Sequence, residues 1–311
     1  MNVYKEKGFT SHDVVARLRG ICKMKKIGHT GTLDPEAVGV LPVCFGSGTK
    51  LCDMLTDWDK EYRAVMRLGV VTDTQDMTGQ ILSQCGMDDM ENLTAEQVQE
   101  TVMAFCGDYD QIPPMYSALK VNGKKLYELA RAGKEIERKP RKVQIKELEI
   151  EEIAIPLVRM RIVCSKGTYI RTLCHDIGAA LGCGGVMESL IRSRVGIFGI
   201  ENALTLAELE SLRDAGNISS VIISPDAVFD KNQAVVVKEE ARRMAENGNR
   251  LGMDQVTDVG GLSSEGAEDR TNLQLKDGEQ VRVYDGRGKF YGIYAYCSME
   301  NVLKPAKMFL S

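Results

Sequence analysis

The sequence lacks the features by which metal enzymes, secreted proteins and membrane proteins are usually recognised. Only three His residues are present, His12, His29 and His175, and no two stand at ligand spacing, so a metal site is not expected. The nine Cys residues contain no C-x-x-C pair and are odd in number. That argues against a zinc ribbon and a complete disulfide framework, and predicts reduced, mostly buried thiols. No uninterrupted apolar run reaches the roughly 18–20 residues of a membrane-spanning helix. No charged leader with an apolar stretch and a small-residue cleavage site opens the chain, so a cytoplasmic protein without membrane contact is expected. Internal repeats of about 20–50 residues and low-complexity tracts are also missing.

An excess of positive charge is missing as well: 40 Lys and Arg face 44 Asp and Glu, a net charge of −4. Distribution matters more than the sum, because screening limits each phosphate contact to about 10 Å. Lys120, Lys124, Lys125, Arg131, Lys134, Arg138, Lys139, Arg141, Lys142 and Lys146 crowd one segment against Glu128, Glu135 and Glu137. Arg159, Arg161, Lys166 and Arg171 form a second group, and Lys23, Lys25 and Lys26 precede a glycine-rich stretch. Such runs are usually solvated faces; here they are also candidates for a surface that follows an RNA backbone.

What is present is a chain of 311 residues, long enough for one large domain and a small one. Thr10-Ser11 ahead of Val14, Val15, Leu18 and Ile21 predicts a capped helix ending before Lys23, and Thr94-x-x-Gln97 and Thr205-x-x-Glu208 are capping boxes for two more. Gly107 is available to close the helix that starts at Thr94. Strands are expected at Val38 to Phe45, Tyr62 to Val71, Lys142 to Ile155 and Val158 to Cys164, with a hairpin around Pro156, and a short helix at Lys50 to Leu55. Tyr169 to Leu181 has helical spacing closed by Gly182. After Asp230 come short strands, a helix from Lys238 to about Asn247, a Gly/Ser/Asp-rich loop from Asp258 to Asp269 and an Asp285-Gly286 hairpin turn. The fold class is therefore α+β with a mixed sheet, divided into residues 1–228 and a small β-rich domain at 229–311.

Three stretches carry candidate chemistry. GHTGTLDPEAVGVLPV, at 28–43, places Asp34 in a loop with three glycines, ahead of a buried strand. Asp before Pro commonly makes an Asx turn; the crowding of His29, Thr30 and Thr32 beside Gly28, Gly31 and Gly39 suits a site held on a rigid scaffold. CSKGTYIR, at 164–171, would set Tyr169 and Arg171 on one side of an extended chain, an Arg able to pair with a carboxylate beside a ring able to stack on a base. In DKEYR, at 59–63, Tyr62 begins a strand, where a Tyr also serves simply to cover a sheet. Gly46 to Lys50 has the wrong order for a phosphate loop, and Asp73 to Gly79 reads as a polar turn rather than a calcium loop.

These pieces, with KGFTSHD at 7–13, IPPMYSALKVNGKKLYELARAG at 112–133, CSKGTYIRTL at 164–173 and LKPAKMFLS at 303–311, make the chain resemble the bacterial TruB family of tRNA pseudouridine-55 synthases over nearly its whole length. Departures are the segment Lys5-Glu6-Lys7-Gly8, where the family usually has a Pro after the Lys, and the 258–269 loop. The resemblance implies a pseudouridine-synthase fold for the first 228 residues and a PUA-like RNA-binding domain beyond. It implies Asp34 as the catalytic carboxylate, Arg171 as the partner holding it ionised, and Tyr62 as the ring stacked on the target uracil. His29 would fill the space left by the flipped base or help wedge the loop open, Tyr169 and Leu190 would line the pocket, and Lys124 and Lys125 would grip phosphates. The substrate implied is uridine 55 in the tRNA T loop, isomerised without a cofactor because no redox change or group transfer occurs. No obligate protein partner is implied, and a monomer is expected. Two rivals are a non-catalytic tRNA-folding chaperone, for which Asp34 would be dispensable, and a glycoside-type hydrolase, which needs a second carboxylate near Asp34.

Overall fold

The computed structural model describes residues 1–86, 88–121, 123–258 and 273–309. In chain order the first part contains β1 (Asn2–Lys5), α1 (Ser11–Ile21), β2 (Ile27–His29), β3 (Val38–Phe45), α2 (Cys52–Thr56), β4 (Lys60–Leu68), β5 (Val70–Thr72), β6 (Ile81–Gln84) and α3 (Ala95–Met103). It continues with β7 (Gly107–Gln111), β8 (Lys120–Val121), β9 (Lys124–Lys125), α4 (Leu126–Arg131), β10 (Arg141–Ala154), β11 (Leu157–Cys164), α5 (Ile170–Ala180), β12 (Gly185–Val195), β13 (Phe198–Gly199) and α6 (Leu206–Asp214). The main sheet runs β1-β3-β12-β4-β11-β10-β7, with β2 added to β3 and β13 to β12. Of these pairs only β3 with β12 is parallel, so the sheet is mixed, as expected.

Each face of that sheet follows from the alternation of its strands. Tyr62, Ala64, Met66 and Leu68 of β4 point inward with Val158, Met160 and Ile162 of β11, and are covered by Val98 and Val102 of α3 and by Leu173, Cys174 and Ile177 of α5. The intervening residues face water and carry ion pairs, Arg63 with Glu151 and Arg67 with Glu188 among them. At the β1–β3 edge a second cluster joins Val14, Leu18 and Ile21 of α1 to Leu206 and Leu209 of α6. The helix predicted from the Thr10-Ser11 cap and the two predicted from capping boxes all start there: the side chains of Thr10, Thr94 and Thr205 each accept from the third backbone N–H of their helix, at 3.1–3.3 Å.

Several expectations need correction. The strand predicted from Tyr62 to Val71 breaks at Gly69, whose φ of +82° turns the chain so that Val70–Thr72 pairs with β6 in a separate hairpin. Gly107 does not cap α3, which closes at Ala104; it opens β7 instead. The short helix near Lys50 is a 3-10 turn over Gly46–Leu51 followed by α2. Strand β12 was not foreseen, because two bulges and the buried Arg192 interrupt its alternation. Of the thiols only Cys44, Cys164 and Cys174 are buried; Cys22, Cys52, Cys85, Cys183 and Cys297 are half-buried and Cys106 is exposed.

The second sheet is built from β14 (Ala234–Val237), β15 (Leu251–Gly252), β16 (Val256–Asp258), β17 (Gln280–Tyr284), β18 (Phe290–Cys297) and β19 (Val302–Met308), in the order β15-β19-β18-β17-β14-β16, with α7 (Arg242–Glu246). The Asp285-Gly286 turn is closed by the Asp285 carboxylate, which accepts from the N–H groups of Arg287 and Lys289. This sheet rests on α2 and the turn before it: Phe229, Ile293 and Phe309 share a cluster with Val40, Cys44, Leu51 and Leu55, and the Lys50 ammonium donates to the Met308 carbonyl at 3.1 Å. The Gly/Ser/Asp-rich loop beyond Asp258 lies outside the described residues.

Candidate active site

The loop between β2 and β3 is held from several sides, and each tether is a side chain bonded to its backbone. The guanidinium of Arg192, 1% exposed, donates to the carbonyls of Val40 at 2.7 Å, Gly31 at 3.3 Å and Thr32 at 3.5 Å. The ammonium of Lys5, fully buried, donates to Phe9, Glu6 and Pro35 carbonyls at 2.6–3.1 Å. The Ser11 hydroxyl accepts from the Leu33 N–H at 2.9 Å. Gly39 is required where the loop re-enters the sheet: its φ is +109°, and a Cβ there would stand 2.3 Å from the Arg192 carbonyl oxygen. A buried unpaired cation is expensive; three carbonyl dipoles on Arg192 and three on Lys5 offset that cost, and those of Gly31, Thr32 and Pro35 tie down the loop.

What the loop presents is the carboxylate of Asp34. Arg171, in the first turn of α5 and 5% exposed in its side chain, meets it with Nε at 2.9 Å from one oxygen and Nη2 at 3.4 Å from the other. Arg171 is itself fixed by donating to the carbonyls of Thr74 and Tyr116, both at 2.8 Å. A guanidinium with every edge engaged orients a carboxylate in two dimensions, which a Lys could not do. A second carboxylate, Asp76, comes to 4.0 Å from the same Nε. The turn from Asp73 to Gly79 is thus the polar turn expected, and it also delivers Thr74 and Asp76 to Arg171. Asp76 is spent on that turn, its Oδ1 accepting from the Thr74 and Thr78 hydroxyls and the Thr78 N–H. Its side chain is 13% exposed against 38% for Asp34, so Asp34 is the carboxylate open to a reactant.

Tyr62 and Leu190 close the apolar side, buried with Leu33 and Ala37 in one cluster. Tyr62 is registered opposite Arg192, and Leu190 opposite Ala64, across the β4–β12 pair. Burial pushes the Tyr62 phenol up, against the Arg192 charge. Tyr169 caps α5 in an extended conformation, so it and Arg171 are brought together by a strand-to-helix corner and not by the i, i+2 alternation expected. Gln111 holds that corner, accepting from the Tyr169 N–H at 2.8 Å and donating to its carbonyl at 3.0 Å. Burial pushes the Tyr169 phenol up as well. His29, at the end of β2, accepts the Gly31 N–H on Nδ1 at 3.3 Å and lies edge-to-face with His12 at 5.6 Å. Burial, and then the neighbouring His12, lower its pKa and favour the neutral ring. Behind it opens a cleft of about 570 Å³ whose lining includes His12, Arg19, Lys25 and Lys26 and no carboxylate.

The basic segment divides in two. The second group expected from sequence presents no free charge: Arg159 pairs with Glu152, Arg161 with Glu61, Glu147 and Glu149, Lys166 with Asp57 and Arg171 with Asp34. Lys146 likewise pairs with Asp59. By contrast Lys120, Lys124, Lys134, Lys139, Arg141 and Lys142 are exposed and make no ion pair with a described carboxylate. Lys124 and Lys125 form β9 of a two-stranded hairpin with β8, and Lys125 lies over the Tyr127 ring. This segment is tied to the carboxylate through the Tyr116 carbonyl on Arg171. Sequence reasoning missed Lys5, Thr74, Asp76, Gln111, Tyr116 and Arg192, all of which act through other residues. Among the described residues no cluster of three or more His, Cys, Asp or Glu could hold a metal ion, and no helix is long and apolar enough to cross a membrane.

The mixed sheet with its loop-borne carboxylate and the second, PUA-like sheet define the pseudouridine-synthase fold. A solved Cbf5–Nop10–Gar1 complex contains a chain that superposes with a TM-score of 0.72 at 26% identity, covering 99% of this chain and 84% of that one. An H/ACA ribonucleoprotein bound to a substrate RNA containing 2'-deoxyuridine gives the same TM-score at 23% identity. Residues 19–170 match the TruB family pseudouridylate synthase N-terminal domain, and residues 171–225 the tRNA pseudouridylate synthase B C-terminal domain. A protein of Lachnoclostridium phytofermentans named tRNA pseudouridine synthase B is 53% identical, covering 100% of this chain and 99% of its own length. One of the same name from Clostridium novyi is 43% identical over 94% of this chain and 93% of its own. The chain belongs to the TruB family.

Proposed function

We propose that the protein isomerises uridine to pseudouridine in tRNA, at position 55 of the T loop, with Asp34 as the reagent. The observation that carries this reading is an accessible carboxylate held at 2.9 Å by a buried guanidinium, on a loop tethered by Lys5, Ser11 and Arg192. The reaction breaks the N1–C1′ bond, turns the base and joins C5 to C1′. A carboxylate set here serves either by attacking C1′ or by taking the C2′ proton. The target nucleotide has to leave its stack, at a cost of a few kcal/mol. Stacking on Tyr62, contacts from Tyr169 and Leu190, and His29 in the vacated space offset that cost.

Unpaired cations from Lys120 to Lys142 follow the RNA backbone, Lys124 and Lys125 foremost, and residues 229–311 act as an RNA-binding domain beside a catalytic domain of residues 1–228. The protein works in the cytoplasm as a monomer without a protein partner. The test is pseudouridine formation in an unmodified T-arm stem-loop by the purified protein alone, beside its Asp34→Asn variant. Product with the wild type only supports the reading; RNA binding without product in either would favour a tRNA-folding chaperone.

A further inference from the structure

Two thiols at the foot of the catalytic loop form a pair that the mechanism does not use. Gly28 and Cys44 are registered directly opposite each other in the antiparallel β2–β3 pair. Opposite residues project to the same face, with Cβ positions about 4.5–5.5 Å apart. On that face the Cys52 sulfur fills the space a Gly28 side chain would take, 3.0 Å from the position of its missing Cβ. It therefore lies against the Cys44 side chain, and Cys52 packs against the apolar cluster that contains Cys44. Cys44 is buried, packed beneath Leu51 and Leu55, whereas Cys52 is half-buried and lines the basic cleft with Arg19, Lys25 and Lys26.

A thiol that is reactive needs thiolate character, access and an electropositive surround. Cys52 has all three: the neighbouring Cys44 thiol lowers its pKa, against burial and the adjacent Asp53 carboxylate, the cleft admits small molecules, and Arg19, Lys25 and Lys26 line it. Cys44, whose pKa the neighbouring Cys52 and burial raise, has the complementary character of a partner that stays protonated until a neighbouring sulfur is oxidised.

We propose that Cys52 is a site of reversible oxidation by hydrogen peroxide, with Cys44 as its resolving thiol. The Cys52 thiolate attacks a peroxide oxygen, the O–O bond breaks, and the leaving hydroxide takes a proton to become water, leaving a sulfenic acid. Cys44 sulfur then displaces the hydroxyl as a second water and closes the disulfide. Two thiols and one peroxide give one disulfide and two waters, and an external dithiol reverses the change by exchange.

The bond requires the sulfurs to close to about 2.05 Å, which draws α2 toward β3. Two functional contacts depend on that distance. Gly28 rests on the Cys52 sulfur and leads directly into His29, and α2 with its preceding turn bears the second sheet through Lys50 and Asp53. Oxidation is therefore expected to lower turnover by up to about a hundredfold, the order of effect that an ångström-scale misplacement produces. This consequence rests on the function proposed above; the disulfide itself does not.

The full-length protein, fully reduced, would be treated with hydrogen peroxide, alkylated, digested and mapped by mass spectrometry, with turnover on the T-arm stem-loop followed in parallel. The expected result is a Cys44–Cys52-linked peptide that forms before the exposed Cys106 is modified, with turnover lost and restored by dithiothreitol. Cys44→Ser should stop at a Cys52 sulfenic acid trapped by dimedone, and Cys52→Ser should retain turnover after peroxide. Oxidation of Cys106 ahead of Cys52, or a Cys52 that yields neither linked peptide nor trapped sulfenic acid in folded protein, would overturn the proposal. A linked peptide formed without change in turnover would overturn its functional half alone.

Discussion

Two cationic regions of this molecule use positive charge in opposite ways. In the main sheet, Lys5 of β1, Lys60 of β4 and Arg192 of β12 are buried at 0%, 6% and 1% exposure, and each donates to backbone carbonyls. Lys60, for example, donates to Thr56 and Trp58. From Lys120 to Lys142 the unpaired cations are exposed and held by few tethers. Buried cations bonded to carbonyls act on the chain itself, so they set geometry and lose little to salt. Exposed unpaired cations act on whatever approaches, and their contribution falls as ionic strength rises. A reaction that needs one carboxylate held still and a polyanion held loosely calls for both arrangements in one protein.

The sharpest way to test that division is to remove the proposed reagent and leave both cationic regions intact. Asp34→Asn is expected to lower pseudouridine formation by at least about 10²–10⁴-fold, the range of a lost proton-transfer group, with RNA affinity little changed in a filter-binding titration. A parallel collapse in affinity would mean that the loop binds as much as it reacts. Arg171→Lys keeps the charge and loses the fork that spans Asp34, Thr74 and Tyr116. Single-turnover rates should drop on the order of 10²-fold through misplacement, with unchanged binding.

The exposed region should respond in the other variable. Lys124→Glu with Lys125→Glu should raise the dissociation constant at low salt and flatten the slope of log affinity against log salt by about 0.7–0.9 for each phosphate no longer neutralised. The single-turnover rate at saturating enzyme should stay near wild type. An unaltered salt slope would remove this hairpin from the RNA face.

The smallest expected effect reads the buried cations through pH. Burial, the largest influence on both, brings Lys5 and Lys60 down to about 8 from an ordinary 10.5. Above pH 8 the folded state then releases protons that the unfolded chain still binds, so stability should rise between pH 8 and about 10. The gain, reduced by solvent screening, is of the order of 1 kcal/mol per group, measured as the denaturation midpoint in urea. Lys5→Met should blunt the rise. A midpoint that falls over this window in the wild type, with no difference in Lys5→Met, would show that the three carbonyls keep Lys5 charged throughout.

Much of the site was legible because it is local. Asp34, Arg171 and Tyr62 lie in short motifs, and the three capping boxes mark their own helix starts through contacts only three residues apart. The unforeseen parts are those whose partners lie far along the chain. Arg192 reads as one more surface Arg in a strand with broken alternation until β12 lies parallel to β3 and brings it under Val40 and Gly31. Arg159, Arg161 and Lys166 read as free cations until strand pairing sets acids beside the two arginines and the fold brings Asp57 to Lys166. Tyr169 and Arg171 stand at the strand-to-helix corner that opens α5, not on the extended stretch that the sequence suggested.

By itself, then, the sequence determined the candidate carboxylate, the mixed α+β architecture, the capped helices and the family to which the chain belongs, since these rest on residue types at short spacing. Only the tertiary structure decided which charges are spent and which are free, which carboxylate Arg171 orients, and that Cys52 lies against Cys44. The physical reason is that charge, burial and hydrogen bonding depend on neighbours within a few ångströms, and in a sheet ordered β1-β3-β12-β4-β11-β10-β7 many of those neighbours are more than a hundred residues away.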